Sequence, residues 1–199
     1  WLNSGVTDTT LTLENASLSS TFGARSATNA GYTISGYQSA TGSSDTVNLA
    51  LAGAGRSTTG RAALDVGGGD AIEAFNVSTS GSNFVTLDAG TGAETITLTG
   101  DGTNNVTLSN AASGFTLDAS ATTGTNTLNL GSLLSNTISV LGSETGTDTL
   151  AVTTSKALTY RPTVTDVDTM EVTFVDGSTF NAVNTTGLTA ATVAGTAAA

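Results

Sequence analysis

Seven times along this chain an Asp, Glu or Asn is followed by one residue of any kind and then by a triplet reading apolar, any, apolar. The leaders are Asp45, Asn83, Glu94, Asn104, Asn126, Asn136 and Asp148, each placed before a pair such as Val85 and Leu87 or Ile96 and Leu98. From Asn83 onward the steps run 11, 10, 22, 10 and 12, and the double step is filled by Phe115 and Leu117, a triplet without the polar leader. Self-similarity at a short fixed period is the mark of stacked β architecture, because each repeat needs its neighbours to bury its apolar face.

Taking alternate strands sharpens this reading. The centres Thr86, Thr107, Asn129 and Ala151 fall 21, 22 and 22 residues apart, and those between them, Thr97, Thr116, Ser139 and Thr159, fall 19, 23 and 20 apart. The spacing predicts an all-β fold, a parallel β-solenoid resembling a β-roll with about 21 residues per coil and two sheets. The outer residues of each triplet then point inward and the central Thr outward. An antiparallel β-sandwich has the same alternation and is the alternative.

Composition suits strands joined by tight turns. Thr makes up roughly one residue in five, Gly numbers 24 and Pro only 1, a mixture that favours the pleated chain over the helix. With 16 acidic residues against 5 basic and a net charge of −11, the chain lacks the basic clusters that hold phosphates, so nucleic acid is not an expected partner. Divalent cations are the natural complement. No His and no Cys are present, which removes the usual general base, the thiol nucleophile, thiolate metal sites and disulfides. Paired carboxylates could still cleave glycosides, but the sparse aromatics offer no sugar cleft, and no catalytic residue and no enzyme is expected. No apolar run reaches the roughly 18 residues of a membrane helix, so insertion in a membrane is not expected. The chain opens on Trp1 without a signal segment, as a processed or excised piece would.

Three regions are expected. Residues 1–70 form an irregular β-rich opening segment, in which Thr10 to Leu13 and Tyr32 to Ile34 alternate as strands, Leu18 to Arg25 holds at most a helical turn, and Gly53 to Gly69 is a glycine-rich loop. Residues 71–160 form the repeat-built solenoid, with short strands near 72–78, 84–88, 95–99, 105–109, 115–118, 127–130, 137–141, 149–153 and 158–160. Residues 161–199 begin a further β unit and end in a link. There Val167-Asp168-Thr169-Met170-Glu171-Val172 echoes Ile72-Glu73-Ala74-Phe75-Asn76-Val77.

Candidate chemistry lies in the turns. Calcium takes six to eight oxygen ligands from carboxylates and from carbonyls that glycine turns expose. The richest acidic turns hold Asp65, Asp70 and Glu73, then Glu144 and Asp148, then Asp166 and Asp168. These seven are the expected calcium ligands. The competing reading is that Asp and Asn precede strands because they hydrogen-bond their own turn backbone. No other cofactor is expected.

The stretch Gly142-Ser143-Glu144-Thr145-Gly146-Thr147-Asp148-Thr149-Leu150-Ala151-Val152 resembles a degenerate calcium-binding nonapeptide (RTX) repeat: Gly146, Asp148 and Leu150 match its Gly-any-Asp-any-apolar core, and Ser143 stands in place of the second glycine. Over roughly residues 40–190 the chain is similar to the Thr/Ala/Gly-rich S-layer proteins of Gram-negative bacteria, which join such repeats to β-solenoid bodies and leave by type I secretion. The segments at Ile72 and Val167, and the strands Thr86-Leu87-Asp88-Ala89 and Thr116-Leu117-Asp118-Ala119, carry the likeness. The resemblance implies a calcium-stabilised structural module of an extracellular surface layer at the cell surface. Its expected partner is itself, with cell-surface polysaccharide as a second. An adhesin or surface-filament module is the alternative, and a polysaccharide-active β-helix the third.

Overall fold

The structure is a computed structural model that describes residues 2–3, 10–13, 16–17, 21–26, 31–34, 36–38, 40, 42–67 and 71–195. The described chain is all-β, a parallel solenoid of about 6 turns at roughly 21 residues per turn. Most coils give one strand to each of two sheets. Ala74–Ser80 lies in the first and Ser82–Asp88 in the second, followed in the same alternation by Thr95–Gly100 and Thr103–Asn110, Thr116–Thr122 and Asn126–Gly131, Ser139–Leu141 and Asp148–Thr153, Thr163–Thr165 and Thr169–Phe174. Pairing is parallel throughout: Val85 aligns with Val106, Val106 with Leu128, and Leu128 with Leu150, while on the other sheet Ile96 aligns with Leu117 and Leu117 with Val140. The antiparallel sandwich is excluded.

The core sits between the sheets. Val85, Leu87, Ile96, Leu98, Val106, Leu108, Phe115, Leu117, Leu128, Leu130, Ile138 and Val140 are all buried, as the alternation requires. The central Thr86, Thr97, Thr107 and Thr116 are half-buried rather than exposed. In a parallel stack each has the equivalent residue of the coils above and below packed at strand spacing, about 4.8 Å away, and these neighbours cover its flanks.

Both sheets extend beyond 71–160, taking in Leu2–Asn3, Thr21–Ser26 and Thr46–Ala54 on one side and Thr185–Thr186 and Ala190–Gly195 on the other. Thr10–Leu13 and Gly31–Ile34 are strands, as the alternation predicts, whereas Thr21–Ser26 is strand rather than helical turn, and Leu18 lies outside the described residues. The expected loop at Gly53 to Gly69 contains a second-sheet strand, Ala62–Asp65. Its inward residues Ala62 and Leu64 are buried, but two of its four residues are Ala and one is Asp, which carry little intrinsic strand preference. Thr159 departs from the expected series: Thr159–Tyr160 pairs with Thr179–Phe180 in a separate two-stranded sheet, and Ser139 pairs with Thr163 instead. The detour through Lys156 and Pro162 lengthens that coil.

Leu117 is 2% exposed. Replacing it by Ala is expected to cost about 2–5 kcal/mol in reversible denaturation, the range for a buried Leu that leaves a cavity. A cost below about 1 kcal/mol would place this side chain at the surface.

Candidate functional site

Six of the seven repeat leaders fall into two groups; the seventh, Asp45, directly precedes Thr46–Ala54 and is half-buried. Asn83, Asn104, Asn126 and Asp148 lie inside second-sheet strands, two residues before an inward apolar residue, so their side chains share its inward parity. All four are essentially fully buried, with Asn83, Asn126 and Asp148 at 0% and Asn104 at 1% exposure. Glu94 and Asn136 precede the first-sheet strands Thr95–Gly100 and Ser139–Leu141; they sit at corners and are exposed.

The parallel register stacks the four buried leaders, and a chain of side-chain hydrogen bonds joins them. Asn83 Nδ2 donates to Asn104 Oδ1 at 2.9 Å, Asn104 Nδ2 to Asn126 Oδ1 at 2.9 Å, and Asn126 Nδ2 to Asp148 Oδ1 at 2.7 Å. Ala54 N–H donates to Asn83 Oδ1 at 3.0 Å at the start of the series. Every amide points its donor the same way, and Asp148, which only accepts when ionised, ends the run. Its other oxygen, Oδ2, accepts from Ser143 N–H. The flanks are satisfied too: Asn104 Nδ2 reaches Gly102 O at 3.0 Å and Thr79 Oγ1 at 3.2 Å, and Asn126 Nδ2 reaches Thr122 Oγ1 at 2.7 Å.

Glycine corners let the coils come close enough for this ladder. A Cβ on Gly124 would lie 2.1 Å from Gly102 O, and one on Gly146 would lie 2.2 Å from Gly124 O. Any side chain at either position would push successive coils apart. The Gly146 and Asp148 of the nonapeptide-like stretch thus act together, one bringing the coils close and the other closing the polar column.

The ladder runs into an acidic corner. Asp148 N–H donates to Asp168 Oδ2 at 2.8 Å, and Ser143, Glu144, Asp166, Asp168 and Gly187 line a shallow depression there. Asp166 adopts the left-handed backbone region, φ 52, which Asp tolerates better than most residues. The structure therefore brings together Glu144, Asp166 and Asp168, with Asp148 buried behind them. The other candidate ligands lie elsewhere. Asp65 ends Ala62–Asp65 in the second sheet, aligned with Asp88, while Glu73 precedes Ala74–Ser80 in the first and accepts from Asp45 N–H at 2.7 Å. Asp70 falls outside the described residues. These oxygens have the hardness calcium prefers. Yet both oxygens of Asp148 and one of Asp168 already accept protein hydrogen bonds, and among the described residues no three acidic side chains converge closely enough to form a metal shell.

Burial pushes the Asp148 carboxyl above the usual carboxylate range. The hydrogen bonds from Ser143 and Asn126 oppose that rise, and the nearby Asp168 charge adds to it. On the outer face Arg61 ties coils together, donating to Val85 O at 2.8 Å, to Asn105 O at 2.9 Å and to Asn105 Oδ1. Its partial burial lowers the guanidinium pKa from its ordinary value. Comparison with protein-family models, curated proteins and solved structures found no match to this chain.

Two outcomes follow from this geometry. Asn104→Ala leaves a buried acceptor on Asn126 and a donor on Asn83 short of a partner, at about 1–3 kcal/mol for each such group. By contrast Glu94→Gln, at an exposed leader, should stay within about 0.5 kcal/mol of the parent; equal effects in chemical denaturation would remove the ladder from the energetics. For Asp148 the folded state binds the proton more tightly than the unfolded chain, so its contribution to stability is greatest below the ordinary carboxylate pKa and falls as pH rises through the window up to the raised folded pKa. Asp148→Asn loses one acceptor facing Ser143 and should be less stable, but its stability should lack this decline. A parallel pair of stability-against-pH curves would contradict the assignment.

Proposed function

We propose that this chain is a structural module of an extracellular bacterial surface layer that assembles with copies of itself. The observation that carries this reading is the uninterrupted coil stack: two parallel sheets locked through their interior by a saturated polar ladder, with acidic side chains concentrated at one corner and on the flanks. Such a stack carries hydroxyl rows along its outer faces, such as Thr95, Thr116 and Ser139, which are half-buried, and Thr163, which is exposed. That is the geometry of a building element. The likeness of Gly142 to Val152 to secreted nonapeptide repeats supports the cell-surface setting.

Calcium belongs to this reading as a neutraliser of like-charged flanks. The corner at Glu144, Asp166 and Asp168 is the place where it would act. Neutralisation lets copies with a net charge of −11 approach one another.

Electron microscopy and sedimentation of the purified chain, across concentration and with millimolar calcium or chelator, test the proposal. Ordered assemblies that grow with concentration and dissolve in chelator are the expected result. A chain that stays monomeric in every condition and binds a cell-surface polysaccharide would instead make it an adhesin. Assemblies indifferent to chelator would keep the structural role and remove calcium from it.

A further inference from the structure

Two ridges of turns join the sheets, and their charges run in opposite orders. The first ridge holds the turns that leave the first sheet for the second. After Thr46–Ala54 it carries Arg56, which is exposed, and Arg61; four coils on, after Ser139–Leu141, it carries Glu144, and one coil later Asp166 and Asp168. The second ridge holds the turns that return to the first sheet. There Asp45, Glu73 and Glu94 directly precede Thr46–Ala54, Ala74–Ser80 and Thr95–Gly100, whereas Lys156 and Arg161 lie before Thr163–Thr165. The three acids stand coil above coil, since Glu73 N–H donates to Asp45 O at 3.2 Å and Glu94 N–H to Glu73 O at 2.8 Å. Asp65 and Asp88, which end second-sheet strands beside this ridge, add to its acidic half. Lys156 pairs with Asp176 at 3.8 Å, but among the described residues neither Arg56 nor Arg161 has an ion pair. The Arg56 turn is held in shape by Arg56 N–H on Gly60 O at 2.8 Å and Gly60 N–H on Ser57 O at 3.1 Å. On the first ridge the basic and acidic clusters lie about 20 Å apart at strand spacing. That exceeds the roughly 8 Å over which physiological salt leaves exposed charges coupled, so each cluster meets its own partner.

We propose that copies of this chain pack side by side and in the same direction, the first ridge of one copy against the second ridge of the next. This contact rests on the self-assembly reading above and supplies its lateral surface. With coils level, Arg56 and Arg61 face the stacked acids Asp45 and Glu73, while Glu144, Asp166 and Asp168 face Arg161 and Lys156. Turning one copy end for end sets arginine against arginine and acid against acid, and like charges across an interface are rejected. A ridge meeting its own kind head-to-foot would need only that each ridge carry both signs. The opposite order on the two ridges is required by same-direction packing alone. Because the contact uses two different surfaces related without a closing rotation, it extends into rows rather than ending at a dimer. Asp101 works against it. Asp101 is exposed and lies just beyond Thr95–Gly100, the strand that Glu94 precedes, so level copies bring these two acids face to face.

A charge swap across the two ridges tests the contact, with the critical concentration for assembly read by sedimentation and electron microscopy at one fixed millimolar calcium concentration. Arg161 and Glu144 are both exposed, so Arg161→Glu and Glu144→Arg should melt like the parent. Each alone should raise the critical concentration at least about tenfold, the equivalent of about 1.4 kcal/mol. The double variant Arg161→Glu with Glu144→Arg restores an opposite pair and should return the value to within about threefold of the parent. Asp101→Asn should lower it, and Glu171→Gln, exposed on the outer face of the second sheet, should leave it unchanged. Parent assembly should weaken as sodium chloride is raised. If the parent assembles but the double variant is no better than the single ones, same-direction ridge contact is overturned and the surface-layer reading stands on other faces. Weakening by Glu144→Arg without weakening by Arg161→Glu would likewise overturn it and assign Glu144 to calcium alone. Monomers at every concentration, for the parent as for the variants, would overturn both readings together.

Discussion

The structure depends on coils stacking in one register, and the side chains that hold that register are the buried amides of Asn83, Asn104 and Asn126 closed by Asp148. Apolar contacts between the sheets supply most of the driving force for burial, but they are non-directional. Val, Leu and Ile from neighbouring coils would pack almost as well after a slip of two residues. A slip would break the three bonds that join the four buried polar side chains from coil to coil, and each buried group left short of a partner costs about 1–3 kcal/mol. The ladder therefore converts a general tendency to collapse into a single alignment.

Its effect reaches the corners. Amide-to-amide contact at 2.9 Å needs coils at normal strand spacing, which the close passage of Gly124 against Gly102 O and of Gly146 against Gly124 O permits. Where the ladder ends, the chemistry changes from neutral amide to carboxylate, and Asp148 and Asp168 place two acids one coil apart. Thus the polar column that stabilises the interior also fixes where negative charge gathers on this side of the prism. Beyond that corner the coils become less apolar, and the stack reaches the exposed strand Ala190–Gly195.

Most of the architecture was legible in the sequence because a period of two within strands and about 21 between coils survives in the order of residues alone. Val85, Val106 and Leu128 could be aligned from spacing, and they do align. Ala62–Asp65 escaped because its residues carry weak strand preference, and Thr159 was misplaced because the Lys156 to Pro162 detour alters one coil length. The ladder was half legible. By sequence its Asn members read as turn residues and Asp148 as an ion ligand, yet a position two residues before an inward Val or Leu requires each of them to point into the core once strand begins at the leader. Sequence could not say where each strand starts, and that shift of one or two residues separates buried Asn104 from exposed Glu94. The assembly of the acidic corner depended on Asp166 and Asp168 returning one coil after Glu144 and Asp148, which requires the stack itself.

A double-mutant cycle on Asn104 and Asn126 measures the central claim most directly. If their amide bond holds the register, the stabilities of Asn104→Ala, Asn126→Ala and the pair should show an interaction energy above about 0.5 kcal/mol, because removing the first partner already forfeits part of what the second contributes. Additivity within about 0.3 kcal/mol would contradict it, and would assign the register to the apolar rows alone.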